Sequence, residues 1–158
     1  MIRVLVAEDA RQVRETLVAL LGLEDDIEVA AVLAAGDQVV PAALEHRPDV
    51  ALLDIGLPGT DGITAAAELA RRLPGCRVLI LTGMAMPDAL SAALRAGVSG
   101  YLLKEGSASH LIGAVRAVAR GDRVIDGRLA GQPDGEWGSP RPASQKLPPM
   151  GWVPWPLA

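Results

Sequence analysis

The chain of 158 residues has a single cysteine, Cys76, which excludes an internal disulfide bond and favours a reducing compartment such as the cytoplasm. It has no apolar run as long as a membrane-spanning helix. Its N-terminus meets Glu8 and Asp9 within a few residues, unlike a signal peptide. A formal net charge of −4 and a pI near 5.1 argue against a generic nucleic-acid-binding surface. We therefore expect a cytoplasmic protein with no membrane partner.

Several common kinds of catalytic site are also missing. The segment Glu8–Arg11, which follows the first apolar run, lacks the glycines that a P-loop or a dinucleotide site requires. The chain has no nucleophile-elbow pattern. His46 and His110 have no second histidine or cysteine at metal-ligand spacing, so both are interpreted as surface residues. The carboxylates are therefore the remaining candidates for a catalytic or binding site.

One carboxylate, Asp54, directly follows the apolar run Val50–Leu53. A short apolar run bounded by turn residues is typical of a strand buried on both faces. Asp54 is then at the carboxyl end of a strand, where open parallel sheets bind ligands. The alternative is that Asp54 caps the helix that follows.

Short apolar runs and amphipathic segments alternate five times along the chain. The predicted strands are 2–7, 27–33, 50–54, 77–81 and 100–103, and the predicted helices are about 11–21, 37–46, 62–73, 87–97 and 107–120. Asp37 is predicted to cap the second helix, and Ser107 or Ser109 the last. This order predicts an α/β fold, a (βα)5 doubly wound parallel sheet. A flavodoxin-like strand order, 2-1-3-4-5, places the first and third strands side by side at the switch point.

The composition changes near the C-terminus. Residues 129–158 hold all three tryptophans and seven of the twelve prolines, with no helical or strand period. We expect a folded domain over 1–125 and a disordered linker or tail over 126–158. The alternative is that the tryptophans dock onto an apolar surface.

Five reactive side chains follow the predicted strands, and the strand order brings them to one crevice. They are Glu8, Asp9, Asp54, Thr82 and Lys104. Carboxylates that lie close together repel one another, and a hard divalent cation relieves the repulsion. A metal ion, a lysine and a hydroxyl around one carboxylate predict phosphoryl transfer.

Each member of the set then has an expected role. Asp54 is the nucleophile that accepts a phosphoryl group. Asp9, Asp54 and the backbone carbonyl of Gly56 hold Mg2+, and Glu8 helps through water. Lys104 and Thr82 contact phosphoryl oxygens. The alternatives are a solvated charge for Lys104 and a helix cap for Thr82.

The ordered set of motifs resembles the receiver domain of bacterial two-component response regulators over residues 1 to about 125. The motifs are Glu8-Asp9, Asp54-x-x-x-Pro58-x-x-Asp61-Gly62, Thr82-Gly83 and Tyr101-x-x-Lys104. The N-terminal segment and 120–124 are most similar to the NarL/FixJ (LuxR-type) subfamily.

The resemblance implies a switch and a set of partners. Phosphorylation of Asp54 draws the Thr82 hydroxyl inward and Tyr101 follows, changing the surface of the fourth helix, fifth strand and fifth helix. The alternative for Tyr101 is plain core packing. Such a domain receives its phosphoryl group from a sensor histidine kinase and catalyses only its own phosphorylation and dephosphorylation. A homodimer on phosphorylation is expected. The first and fifth helices would meet in it, or the face of the fourth and fifth helices. Apolar positions of the last helix motivate it, although some of them must face the sheet: Leu111, Ile112, Val115 and Val118.

NarL-like regulators bind DNA and control transcription through a C-terminal helix-turn-helix domain. Residues 129–158 show no recognition helix and only two cations, Arg141 and Lys146. We therefore expect a stand-alone receiver, or one whose DNA-binding domain was lost by truncation or a frame change. DNA binding is then expected only through that missing domain.

Two other functions compete with the signalling switch. A magnesium-dependent aspartyl-phosphate phosphatase of the haloacid dehalogenase type needs Asp-x-Asp, and here the second position is Gly56. A pseudo-receiver that never takes phosphate is disfavoured by Asp9, Asp54, Thr82 and Lys104.

Overall fold

The structure is a computed structural model that describes residues 1–83, 87–104 and 106–126. The described strands are β1 (Ile2–Ala7), β2 (Ile27–Leu33), β3 (Val50–Asp54), β4 (Arg77–Thr82), β5 (Gly100–Leu103) and β6 (Val124–Ile125). The helices are α1 (Arg11–Gly22), α2 (Val39–His46), α3 (Gly62–Arg72), α4 (Pro87–Arg95) and α5 (Ala108–Ala119), with a 3-10 helix at Gly36–Gln38. Of the tail predicted over 126–158, Asp126 is described and is buried in the fold, and residues 127–158 lie outside the described residues.

All described strands run parallel in one sheet of order β2-β1-β3-β4-β5-β6. This confirms the α/β class, the parallel sheet and the 2-1-3-4-5 order. The sequence prediction missed β6, which pairs Val124 with Gly100 and Ile125 with Tyr101. Two residues are too few to establish a period, so β6 could not be distinguished from the turn after α5.

Alternating side chains of the strands enter two separate apolar layers, as a sheet covered on both faces requires. On one face, Val6 and Leu52 pack with Leu17 of α1 and Val115 of α5. The other face packs against α2, α3 and α4. The two crossover directions meet between β1 and β3, so the carboxyl ends of these strands open onto a crevice.

Side-chain caps fix where two helices begin. Asp61 accepts a hydrogen bond from the Thr64 N–H at 2.8 Å and is the N-cap of α3, so Asp54 does not cap this helix. Ser107 Oγ accepts from the His110 N–H at 3.1 Å at the start of α5, as one of the two predicted alternatives. Asp37 lies inside the 3-10 helix, and α2 has no side-chain cap, so that predicted cap is wrong.

Two glycines allow the loop after β3 to pack closely. A Cβ at Gly62 would overlap the backbone carbonyl of Asp54, and the Gly62 N–H donates to the Ile55 carbonyl at 2.9 Å. A Cβ at Gly36 would overlap the carbonyl of Thr60, and the Gly36 N–H donates to the Pro58 carbonyl at 2.9 Å. The loop from Asp54 to α3 is therefore held against both α3 and the 3-10 helix.

The apolar positions of α5 that motivated a dimer surface face the sheet. Leu111, Ile112, Val115 and Val118 are all buried within the single chain, so they offer no apolar surface to a second copy. Cys76 is also buried, and burial raises the pKa of its thiol to about 12. Across the described residues, no helix combines the length and hydropathy that crossing a bilayer requires.

Candidate functional site

The strand register brings the predicted site residues to one edge of the sheet. Ala7 lies opposite Leu53, so Glu8 and Asp54 follow paired positions of β1 and β3. Asp54 lies opposite Leu81, the residue before Thr82. Thr82 in turn lies opposite Leu103, and the Lys104 N–H donates to the Thr82 carbonyl at 2.8 Å. Four strand ends therefore converge without any long loop.

Lys104 joins two of the predicted carboxylates. Its Nζ lies 2.6 Å from Glu8 Oε1 and 3.0 Å from Asp54 Oδ1. The side chains of Lys104 and Asp54 are only 13% and 12% exposed, and that of Glu8 only 2%. Ion pairs this well shielded are far less screened by salt than surface pairs. Lys104 is therefore a fixed part of the site, and its alternative as a solvated charge does not apply.

Glu8 has partners for both carboxylate oxygens. Oε1 pairs with Lys104, and Oε2 accepts the Ala10 N–H at 3.0 Å. Burial raises the pKa of Glu8 above its usual value, while the bonds from Lys104 and Ala10 work against that rise. A buried carboxylate needs such partners, because an unpaired one would be costly.

The ammonium of Lys104 stays charged in this setting. Burial by itself would lower the pKa of Lys104, but hydrogen bonds to Glu8 and Asp54 outweigh it, so the pKa lies above its ordinary value. The site therefore presents a permanent positive charge beside the Asp54 carboxylate.

The acidic cluster has the composition of a hard-cation site. One carboxylate oxygen each from Glu8, Asp9 and Asp54 lies within 4.8 Å of the others. Asp9 is exposed to solvent at the rim. A Cβ at Gly56 would lie 3.8 Å from Asp54 Oδ2, so the Gly56 backbone is beside the same carboxylate. These oxygens are the ligand type that a small divalent cation prefers.

The two predicted switch residues are both buried. Thr82 ends β4 and is 7% exposed, whereas Tyr101, which pairs with Ile125 of β6, is completely buried. The Tyr101 hydroxyl has no hydrogen-bond partner within the described part of the chain. Burial raises the pKa of Tyr101 to about 12. Tyr101 therefore lies in an inward position, and none of the described residues satisfies its hydroxyl.

Sequence reasoning missed two residues near the site. Arg14 of α1 donates from Nη1 to the carbonyls of Glu8 at 2.8 Å and Asp9 at 3.4 Å, which fixes the acidic turn. Asp126, directly after β6, is completely buried. A polar residue next to an unpredicted two-residue strand gave no signal. Arg14 could have been found from its place one turn into the first helix.

Comparison with known proteins identifies the family. The profile of the response regulator receiver domain matches residues 4–116. The chain belongs to this family: it is a receiver domain of two-component response regulators.

Among similar proteins, the transcriptional regulatory protein DesR of Bacillus subtilis is 40% identical over 124 residues, which is 78% of this chain and 61% of DesR. LiaR of the same organism is 36% identical over 132 residues, which is 84% of this chain and 63% of LiaR. The signal receiver domain of NarL from Mycobacterium tuberculosis superposes with a TM-score of 0.74 at 33% identity, covering 76% of this chain and 97% of that domain. The chain thus spans less than two thirds of these curated regulators and nearly all of an isolated receiver domain.

Proposed function

We propose that Asp54 is the residue that accepts the phosphoryl group in this receiver domain, with Lys104 and Thr82 beside it. The observation that carries the proposal is the pairing of Lys104 Nζ with Asp54 Oδ1 at 3.0 Å inside a cluster of three carboxylates. A carboxylate oxygen of Asp54 attacks phosphorus, an O–P bond forms, and the bond from phosphorus to the donor's leaving group breaks. The leaving group departs with that electron pair.

Magnesium fits the acidic cluster of this chain. Asp9, Asp54 and the Gly56 carbonyl would hold it, and Glu8 would act through water because both its oxygens already have protein partners. When bound, the cation offsets the negative charge of the carboxylates and of the incoming phosphoryl oxygens. The chain's own residues position the nucleophile and supply the lysine.

Lys104 has a second partner that stays when Asp54 reacts. Forming the acyl phosphate removes the carboxylate charge of Asp54 and places phosphoryl oxygens next to it. The ammonium would then exchange Asp54 for a phosphoryl oxygen and keep Glu8 Oε1, which lies 2.6 Å from it before the reaction. A charge that is already fixed costs little reorganisation during the reaction.

The proposed switch connects the site to a distant surface. A phosphoryl oxygen recruits the Thr82 hydroxyl, and the packing around Tyr101 responds because Thr82 and Leu103 are opposite each other in the β4–β5 pair. The surface of α4, β5 and α5 would then change. A sensor histidine kinase in the cytoplasm would be the donor, and DNA would be reached only through a further domain. The chain would turn over no substrate other than its own phosphoryl group.

The proposal is tested with acetyl phosphate and Mg2+, followed by intact mass measurement. One added phosphoryl group is expected on the natural chain and none on Asp54→Asn. The matched control is Asp25→Asn, because Asp25 is an exposed aspartate in a turn outside the cluster. Labelling of Asp54→Asn equal to the natural chain would overturn the assignment. Steady hydrolysis of a phosphomonoester would indicate a phosphatase, and the absence of any adduct would indicate a pseudo-receiver.

A homodimer on phosphorylation also stays a prediction. Its surface would have to come from other positions than Leu111, Ile112, Val115 and Val118, which the sheet covers. Light scattering of the fully phosphorylated chain across a concentration series would detect the dimer, and a constant monomer mass would contradict it.

A further inference from the structure

Asp126 is a completely buried carboxylate that the proposed function does not use. It directly follows β6 and lies outside residues 4–116, which match the family profile. A buried carboxylate is a costly side chain, because the protein must replace the water that would otherwise solvate it. Its contacts therefore indicate what it contributes.

Asp126 holds β5 with both its backbone and its side chain. The Asp126 N–H donates to the Tyr101 carbonyl at 2.9 Å, which extends the β5–β6 ladder by one bond. Asp126 Oδ2 accepts the Leu103 N–H at 3.1 Å. The paired residues of β6 end at Ile125, opposite Tyr101, so at Leu103 a side chain provides the acceptor on this side of β5.

Leu103 is the last residue of β5 and directly precedes Lys104. On the other side of β5, the Lys104 N–H donates to the Thr82 carbonyl at 2.8 Å. The carboxyl end of β5 is therefore fixed from two sides, by Thr82 and by Asp126. The direction in which the Lys104 side chain leaves the strand depends on this backbone.

We propose that Asp126 is a positioning residue for Lys104: its carboxylate fixes the end of β5, so that the ammonium stays between Glu8 and Asp54. This inference rests on the proposed role of Lys104 in phosphoryl transfer. It also joins the segment after α5 to the proposed phosphorylation site, because Asp126, which follows β6, is hydrogen-bonded to Leu103, the residue before Lys104.

Two variants separate positioning from general stability. Asp126→Asn keeps a side-chain oxygen that can accept the Leu103 N–H, whereas Asp126→Ala removes the acceptor. The rate of Asp54 phosphorylation by acetyl phosphate is expected to fall about tenfold in Asp126→Ala and to stay within about twofold in Asp126→Asn, because small misplacements of a reacting group are costly. Ile27→Val, at the opposite edge strand β2, is the control for loss of buried packing and is expected to keep the natural rate. Equal rates in Asp126→Ala and the natural chain would overturn the inference.

Amide hydrogen exchange gives a readout that does not depend on phosphorylation. The Leu103 and Lys104 amides should exchange faster in Asp126→Ala than in the natural chain, and Asp126→Asn should restore their protection. Unchanged protection in Asp126→Ala would overturn the inference.

A natural chain that takes no phosphoryl group would count against the proposed function, and the exchange data would still decide the role of Asp126. If Asp126→Ala does not fold, the Leu103 amide resonance of the natural chain is followed with Mg2+ and beryllofluoride; a shift supports the coupling and an unchanged resonance contradicts it.

Discussion

Tyr101 is a buried residue whose hydroxyl group lacks a hydrogen-bond partner among the described residues. Its ring is completely buried. Because an unsatisfied buried hydroxyl costs roughly 1–3 kcal/mol, Tyr101→Phe is expected to leave the free energy of unfolding unchanged or to raise it by about 1 kcal/mol. Urea unfolding measures the change. Tyr101→Ala, which removes the ring, should instead lose about 3–5 kcal/mol, and a clear loss in Tyr101→Phe would show that the hydroxyl has a partner.

The same residue should titrate far from its ordinary pH. Burial raises the pKa of Tyr101 from 10 to about 12, and it is the only tyrosine of the chain, so tyrosinate absorbance reports this side chain alone. The folded state favours the neutral phenol. Its contribution to stability is therefore complete below pH 10 and is lost as the pH rises towards about 12. An absorbance midpoint near 10 in the folded chain would contradict the burial of Tyr101, and in urea the midpoint should return to that ordinary value.

At the level of helices and strands, two glycines with opposite surroundings give a matched pair of variants. Gly62 begins α3, where a Cβ would overlap the Asp54 carbonyl, while Gly113 of α5 has nothing within 4 Å of an added Cβ. Gly62→Ala is expected to cost about 1–3 kcal/mol, because the overlap must be relieved by moving backbone. Gly113→Ala should gain about 0.5–1 kcal/mol through helix propensity. Thermal unfolding tests both.

The movement forced by Gly62→Ala would occur at Asp54 itself. Its phosphorylation rate should therefore fall even at temperatures where the variant is folded, whereas Gly113→Ala should keep the natural rate. Equal phosphorylation rates in the two variants would contradict this prediction. They would mean that the loop accommodates the added Cβ without moving Asp54.

For the molecule as a whole, the three clustered carboxylates predict that Mg2+ stabilises the fold. A ligand at a hundredfold excess over its dissociation constant raises the free energy of unfolding by about 2.7 kcal/mol. Asp9→Asn should abolish this gain. The same variant should be more stable than the natural chain without Mg2+, because it removes one of the mutually repelling charges within 4.8 Å of each other.

These opposite effects distinguish metal binding from a general change in charge. Asp25→Asn, outside the cluster, should keep the full response to Mg2+. Chelation should return the natural chain to its metal-free melting temperature, and an Asp9→Asn chain that still responds to Mg2+ would place the cation elsewhere.

The sequence was sufficient for features that repeat along the chain. The fivefold alternation of strands and helices predicted the strand order. Apolar runs ending in Asp54 and Thr82 then predicted the convergence of the site, since parallel strand ends meet at one edge. It was insufficient for features that depend on tertiary contacts. The hydrogen bond from Leu103 to Asp126 joins residues 23 apart across a strand too short to detect. Likewise, helical periodicity alone could not show that all four apolar positions of α5 face the sheet.

Gly36 has a consequence for anyone who redesigns the loop after Asp54. No side chain fits at this position, because its Cβ would occupy the space of the Thr60 carbonyl, so a segment from the preceding crossover sets the path of that loop. Substitutions at 55–61 intended to alter the lifetime of the proposed acyl phosphate should therefore be selected together with residues 35–38. Libraries that vary the loop alone will sample mainly sequences that the neighbouring turn already allows.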